Sequence, residues 1–376
     1  MTNNPQFQRP SFKFLGRKSP LALTIGALVI TGALFTALSG FYADWLWFKS
    51  VDFTSTWSTI LGTKVFLFFV TGLLTASIVL ANVWIAYKRR PLYVSMTMES
   101  DNLERYRSQV EPIRRSLFIG GFLALFYFAG TSGSTLWSSW LLFKNSTDFG
   151  VKDPQFNMDI SFFAFRLPFW QTIIGWGIST LVLAIIASTV VHYLYGGIRL
   201  QVQEDRTTVA ARLQLSVLLG GVVLLKAVAY WFDRFALALK ESKIITGLTY
   251  TDVNAVLPAK AILAGIALVC ALLFFANIIR RSWVLPAAGT ALLVISSVLI
   301  AGLYPAAIQN FQVKPSESSK EAPFIQRNIE STRAAYGLED VTVTDYQATL
   351  STSTGQLAND AATIANIRLM DPNVLS

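Results

Sequence analysis

Seven separate apolar stretches, roughly residues 21–46, 63–87, 116–141, 169–195, 213–232, 261–279 and 283–303, constrain this chain more than any other feature. A helix needs about 20 mostly apolar residues to cross the hydrocarbon core of a bilayer, and each stretch meets or approaches that length. In lipid the backbone can satisfy its polar groups only as a helix or a closed barrel, and apolar runs this long select the helix. The fold class expected is therefore an all-α polytopic membrane protein with seven transmembrane helices. Composition agrees, with 14% charged residues where a soluble domain carries about 25%. The first stretch follows Arg17 and Lys18 as a signal peptide would, but it runs on through Phe41 and Trp45 without a small-residue cleavage site, so it is expected to stay in the protein.

Lysine and arginine in the connecting segments orient the bundle. With the N-terminus inside, the cytoplasmic segments hold sixteen of them, among them Lys88, Arg89, Arg90, Arg105, Arg107, Arg114 and Arg115, against nine on the opposite side. The expected arrangement is N-terminus in and C-terminus out. It comprises a basic cytoplasmic segment at 1–20, the seven-helix domain at 21–303 and an extracytoplasmic unit from 304 to 376. The formal charge of +9 then follows from the positive-inside bias and attraction to anionic headgroups, so no nucleic-acid partner is expected. Membrane lipids are.

Little in the sequence suggests catalysis. One histidine and one cysteine, His192 and Cys270, cannot build the usual zinc or haem ligand sets, so neither a metal nor a cofactor is expected. "GTSG", residues 130–133, matches the pattern around an intramembrane protease serine, and such a nucleophile needs a base within reach. At 1.5 Å per residue Ser132 lies about 24 Å along its helix from the inner side, whereas His192 lies about 34 Å along the next helix from the outer side. Some 15–20 Å of depth separates them in a core of about 30 Å, too far for a dyad. The small-residue run "GTSGSTLWSSW" reads instead as a close helix contact. His192, beside Tyr193 and Tyr195 at a helix end, reads as interfacial.

Lys226, in "GGVVLLKAVAYWFDRF", is the one ionisable residue placed well inside a span. Such a group is costly and is normally paired or turned to a polar cavity. Asp44 and Asp233 are the available carboxylates, so Lys226, Asp44, Asp233 and Ser132 form a candidate intramembrane polar site. The alternative is a structural ion pair or a lysine snorkelling outward.

Two outer segments, 142–168 and 233–260, are longer than a connection needs. Four runs in order, "DPQFNMDISFFAFRLPFW", "YWFDRFALAL", "GLTYTDVNAVLPA" and "YPAAIQNFQVKPSESSKEAPFIQRNIESTRAAYGL", resemble uncharacterised protein family 0182, multi-pass membrane proteins prominent in actinobacteria. The resemblance spans nearly the whole chain. It implies a large extracytoplasmic domain after the last helix, so that a chain ending at "DPNVLS" is expected to be the N-terminal portion of a longer protein. It supplies no catalytic residue. Within the tail, Pro323 and Gly337 bracket an expected helix, "VTVTDYQATL" alternates as a short strand and "LANDAATIANIRLM" suits another helix, giving the start of an α+β domain.

The function expected is that of a plasma-membrane scaffold or anchor, not an enzyme, presenting an extracytoplasmic domain for cell-envelope assembly, with envelope proteins as partners through the outer loops and that domain. A transporter or channel for lipid or envelope precursors is the alternative, and an intramembrane enzyme the third. Within "DPQFNMDISFFAFRLPFW", proline disfavours helix before it and suits a first turn, so Leu167 and Pro168 are expected to open the fourth span. Asp159, Phe162, Phe163, Phe165 and Arg166 then form a segment on the outer face, available for docking.

Overall fold

The computed structural model describes residues 20–91, 98–199, 206–241, 245–280 and 284–345. These residues are mainly helical and contain no strand, only isolated bridges at Lys152–Asp159, Ile198–Thr207 and Glu241–Thr246. The α-helices are α1 (Pro20–Ser50), α2 (Thr54–Lys88), α3 (Met98–Ser134), α4 (Trp137–Lys144), α5 (Leu167–Leu194), α6 (Val209–Ala236), α7 (Leu257–Arg280), α8 (Val284–Ser296), α9 (Tyr304–Ala307) and α10 (Glu317–Ala335). Seven helical runs are long and apolar enough to cross a membrane: Thr24–Ser50, Thr54–Lys88, Leu103–Ser134, Phe162–Leu194, Val209–Leu239, Asp252–Ile279 and Val284–Ala335. The chain forms two compact units, Met1–Glu321 and Ala322–Ser376.

The core of the first unit lies where α2, α5, α6 and α7 meet. Its buried residues recur every three to four positions and most are small: Thr71, Thr75, Ala76 and Val79 on α2; Thr180, Ala184 and Ser188 on α5; Leu263, Ala267, Cys270 and Phe274 on α7. Lipid tails are as apolar as leucine, so helices in a membrane associate through close backbone approach and hydrogen bonds between them. Both devices are present. A Cβ added to Gly72 would lie 2.6 Å from the Phe126 carbonyl oxygen, and one added to Gly133 would collide with Thr71 Oγ1. Trp176 Nε1 donates to Thr75 Oγ1 at 3.1 Å, Thr75 and Thr180 hydroxyls are 3.4 Å apart, and Asn277 Nδ2 donates to Ser216 Oγ at 2.7 Å.

The spans begin and end elsewhere than apolarity alone suggests. The third is one continuous helix from Met98, through Pro112, to Ser134, and two tightened turn bonds (Thr135 N–H to Ser132 O, Leu136 N–H to Gly133 O) separate it from α4. More telling are four π segments: Phe162–Arg166, Asp252–Val256, Ser297–Leu303 and Ile308–Val313. Each is followed by one residue and then proline: Leu167-Pro168, Leu257-Pro258, Tyr304-Pro305 and Lys314-Pro315. The residue before proline donates five positions back in every case, as Leu167 N–H does to Phe162 O and Leu257 N–H to Asp252 O. Proline in a helix lacks a donor and its ring collides with the carbonyl four residues earlier; a π turn widens the helix there and relieves the collision. The fourth span therefore does not open at Pro168. Helix reaches back past Phe162, and the proline sits within it.

In the second unit, α10 reaches its end through Gly337 at φ +65, with Gly337 N–H bonded to Ala334 O at 3.1 Å and Leu338 N–H to Arg333 O at 2.8 Å. This is the paired closure that a left-handed residue after the last turn permits. The stop expected at Gly337 is met, but the helix starts at Glu317 and Pro323 lies inside it. Residues 341–345 carry no strand. The rest of "VTVTDYQATL", "LANDAATIANIRLM" and the basic segment up to residue 19 lie outside the described residues.

Candidate functional site

The residues singled out from sequence do not form one cluster. Lys226 is partly exposed on α6 and stands 4.9 Å over the ring of Tyr230, one turn along. Asp233 pairs with Lys260 of α7 at 3.4 Å. Asp44 is exposed on α1. Ser132 is exposed, while its neighbours Gly130 and Gly133 face Phe68 and Thr71 of α2; the Gly-x-Ser-Gly run is a contact face between α2 and α3. His192, expected at an interface, is turned into the bundle. It is 1% exposed, and its Nε2 donates to Gln214 Oε1 at 3.0 Å, because the Gln214 amide already donates to the Asn82 carbonyl at 2.8 Å and to Ser188 Oγ at 3.3 Å. Gly197, whose N–H bonds to His192 O at 2.6 Å, has no room for a side chain beside that ring.

At one end of the bundle, two loops lead into π segments. In the first, Asp159 accepts from the N–H groups of Phe149, Gly150 and Ser161 at 2.9–3.0 Å. The Ser161 hydroxyl beside it and then these N–H groups hold the Asp159 carboxyl at about 2, below its ordinary 3.8. Arg166 Nε donates to Ser146 Oγ at 3.2 Å and its guanidinium lies 3.6 Å from Asp148. Phe163 is buried, Phe156 and Phe162 both pack on Phe235 at the end of α6, and Phe165 meets Phe149 at 5.4 Å. The segment thus folds on its own loop and on α6.

The second loop is the more informative. Asp252, 1% exposed, takes Lys240 Nζ at 2.8 and 3.0 Å, Thr249 N–H at 3.1 Å and the Thr249 hydroxyl at 2.7 Å. Tyr250, beside Thr249, joins this loop to a much later part of the chain. Tyr250 N–H donates to both oxygens of Glu321, at 3.0 and 3.2 Å, across 71 positions. Thr251 hydrogen-bonds Gln309, and Lys320 Nζ lies 4.9 Å over the Tyr250 ring. Glu321 is 8% exposed. A buried carboxylate needs such partners, and here they fasten the residues after α9 to the start of α7. No sequence period could reveal this joint, although all its members except Lys240 lie in the runs "GLTYTDVNAVLPA" and "YPAAIQNFQVKPSESSKE".

The opposite end is rich in arginine. Between α2, α3 and α5 a crevice of about 430 Å³ has apolar walls that include Leu80, Val110, Phe118 and Leu194, with Tyr87, Arg114, Arg115 and Tyr195 at its polar edge. Glu111 holds this edge together: Tyr87 OH donates to it at 2.8 Å, Tyr195 OH at 2.9 Å and Arg114 at 2.7 Å, and Arg90 lies 3.7 Å away.

Residues 21–376 match the uncharacterised protein family UPF0182. The chain is 47% identical to a UPF0182 protein of Streptomyces coelicolor over 96% of its own length and 37% of the relative's. It is 46% identical to one of Thermobifida fusca (96% and 36%) and 42% identical to one of a Nocardioides species (99% and 37%). It thus spans little more than a third of these relatives. No solved structure matches it. The family match over nearly the whole chain and the identities to these relatives make the chain a member of uncharacterised protein family UPF0182.

Proposed function

We propose that this chain is the membrane anchor of a plasma-membrane protein, oriented with the N-terminus inside, and that it presents an extracytoplasmic domain for work on the cell envelope, without itself catalysing a reaction. The observation that carries this reading is the joint of Glu321 on Tyr250 N–H. A passive tether needs only apolar helices, whereas a buried carboxylate ligated by a backbone amide and reinforced by Thr251–Gln309 and Lys320–Tyr250 restricts how the chain leaves the bundle. The joined polar pairs inside the bundle support the same reading, since satisfied hydrogen bonds between helices rigidify a bundle. Lys226, beside Tyr230 and outside the arginine-edged crevice, lends transport little support.

The test is genetic and topological together. In the full-length protein, Lys226→Met leaves function intact, while removal of the residues beyond 321 abolishes it. Cysteines placed at Asp148 and Ser319 react in intact cells with an impermeant maleimide, and one at Ser108 does not. Loss of function in Lys226→Met with an undamaged fold contradicts the anchor and favours transport.

A further inference from the structure

We propose that the crevice between α2, α3 and α5 is a binding site for one anionic glycerophospholipid, its acyl chain along the apolar walls and its phosphate at the arginine edge. The site is independent of the anchor reading. Its shape suits an amphiphile: Leu80, Val110, Phe118 and Leu194 give an apolar trough of about 430 Å³, within the size of small-molecule sites. All its polar residues lie at the end where α2 and α5 finish. A free phosphate or a soluble anion would gain nothing from such walls, and a hydrocarbon would gain nothing from the edge.

Charge decides the headgroup. Among the described residues three guanidinium groups, Arg90, Arg114 and Arg115, stand at or beside the edge against one carboxylate, Glu111, while Arg107, on the Leu194 carbonyl, is offset by Glu104. The single carboxylate cannot neutralise them. It is itself spent on two tyrosine hydroxyls and Arg114, and Arg115 forms no ion pair with a described carboxylate. Glu111 acts here as a brace. It fixes Tyr87, Tyr195 and Arg114, while Arg90 lies over the Tyr87 ring at 4.2 Å and the Tyr195 ring at 5.3 Å, so the cations are held in place before a ligand arrives. Arginine presents several donors in a plane that suits phosphate, and basic pockets between membrane helices bind anionic lipid headgroups. Among the described residues, an excess of two positive charges at the mouth of an apolar trough fits a phosphodiester with one net negative charge and disfavours the zwitterion, whose ammonium would meet the arginines.

Native mass spectrometry of the detergent-purified full-length protein, titrated with 1-palmitoyl-2-oleoyl phosphatidylglycerol or its phosphatidylcholine counterpart, tests this. The parent should hold one phosphatidylglycerol at least about fivefold more tightly than phosphatidylcholine. Arg114→Gln with Arg115→Gln should erase that preference. Val110→Trp, which fills the trough and leaves every charge in place, should weaken phosphatidylglycerol by a similar factor, and Arg105→Gln, on the same helix but outside the crevice, should change nothing. Val110→Trp should keep the thermal unfolding midpoint of the parent in detergent, so that its loss of binding is not mistaken for misfolding. Equal binding of the two lipids, or retention of the preference in the double arginine variant, overturns the proposal. Unaltered binding in Val110→Trp overturns it too, because it reduces the effect to general attraction at a basic surface.

Discussion

The two loops that lead into π segments at one end of the bundle, the first before Pro168 and the second before Pro258, use the same local device and put it to different ends. Each closes on an aspartate, passes through a five-residue π segment and reaches a Leu-Pro pair. In the first, the aspartate binds amides of its own loop, and phenylalanines seal the turn against α6. In the second, Asp252 is buried under Lys240 and Thr249, and the adjoining Tyr250 amide is given to Glu321. The same backbone solution to an intrahelical proline thus yields a self-contained cap at one place and a joint to a distant segment at the other. The difference lies in polarity: phenylalanines close the first loop by packing, whereas the second satisfies Asp252 within itself and leaves the Tyr250 amide for the buried Glu321 carboxylate.

Substitutions can separate cap from joint. The largest effect belongs to Phe163→Ala, which removes a side chain 4% exposed and costs about 3 kcal/mol in reversible unfolding in mixed micelles. Hydrogen exchange should quicken at residues 149–161 and stay unchanged at 249–252. Asp252→Ala follows at about 2 kcal/mol, since the Thr249 donors lose their acceptor in a buried place, with the pattern of exchange reversed. The Lys240 ammonium is half exposed, so Lys240→Met should cost less than about 1 kcal/mol. Comparable losses in the Asp252 and Lys240 variants would show that the ion pair, and not the hydrogen bonds, holds the loop.

The smallest effect is set by pH. The Asp159 carboxyl is depressed to about 2 from 3.8, so its contribution is complete above 3.8 and is lost as pH falls from there to about 2. Protection at Phe149 and Gly150, corrected for intrinsic exchange, should hold from neutral pH down to about 4 and fall below it; Asp159→Asn should lack that protection at every pH. A decline beginning near pH 5 would contradict the assigned contacts.

The seven spans were legible because apolarity over about 20 residues leaves the chain little choice, and Gly130 and Gly133 were legible as a contact because only small residues allow helices so close. Gly337 gave its helix stop for a similar local reason. The π segments were not legible. The rule that proline ends the preceding helix holds for α turns, and a widened turn escapes it at Pro168 and Pro258. The burial of His192 was not legible because its position at a span end says nothing of Gln214 and Asn82, which come from other helices. Asp233 found Lys260 of α7 and not Lys226, since seven residues along one helix put those two on the same side but about 10 Å apart. The Tyr250–Glu321 contact joins residues 71 positions apart, beyond any local pattern.

The joint itself can be measured with spin labels at Asn254 and Ser319, both exposed, in the full-length protein reconstituted in lipid. Double electron–electron resonance should give one narrow distance distribution in the parent, broadened by Glu321→Ala, whose loss of the Tyr250 acceptor costs about 1 kcal/mol. A distribution already broad in the parent, or one that Glu321→Ala leaves unchanged, contradicts a rigid anchor.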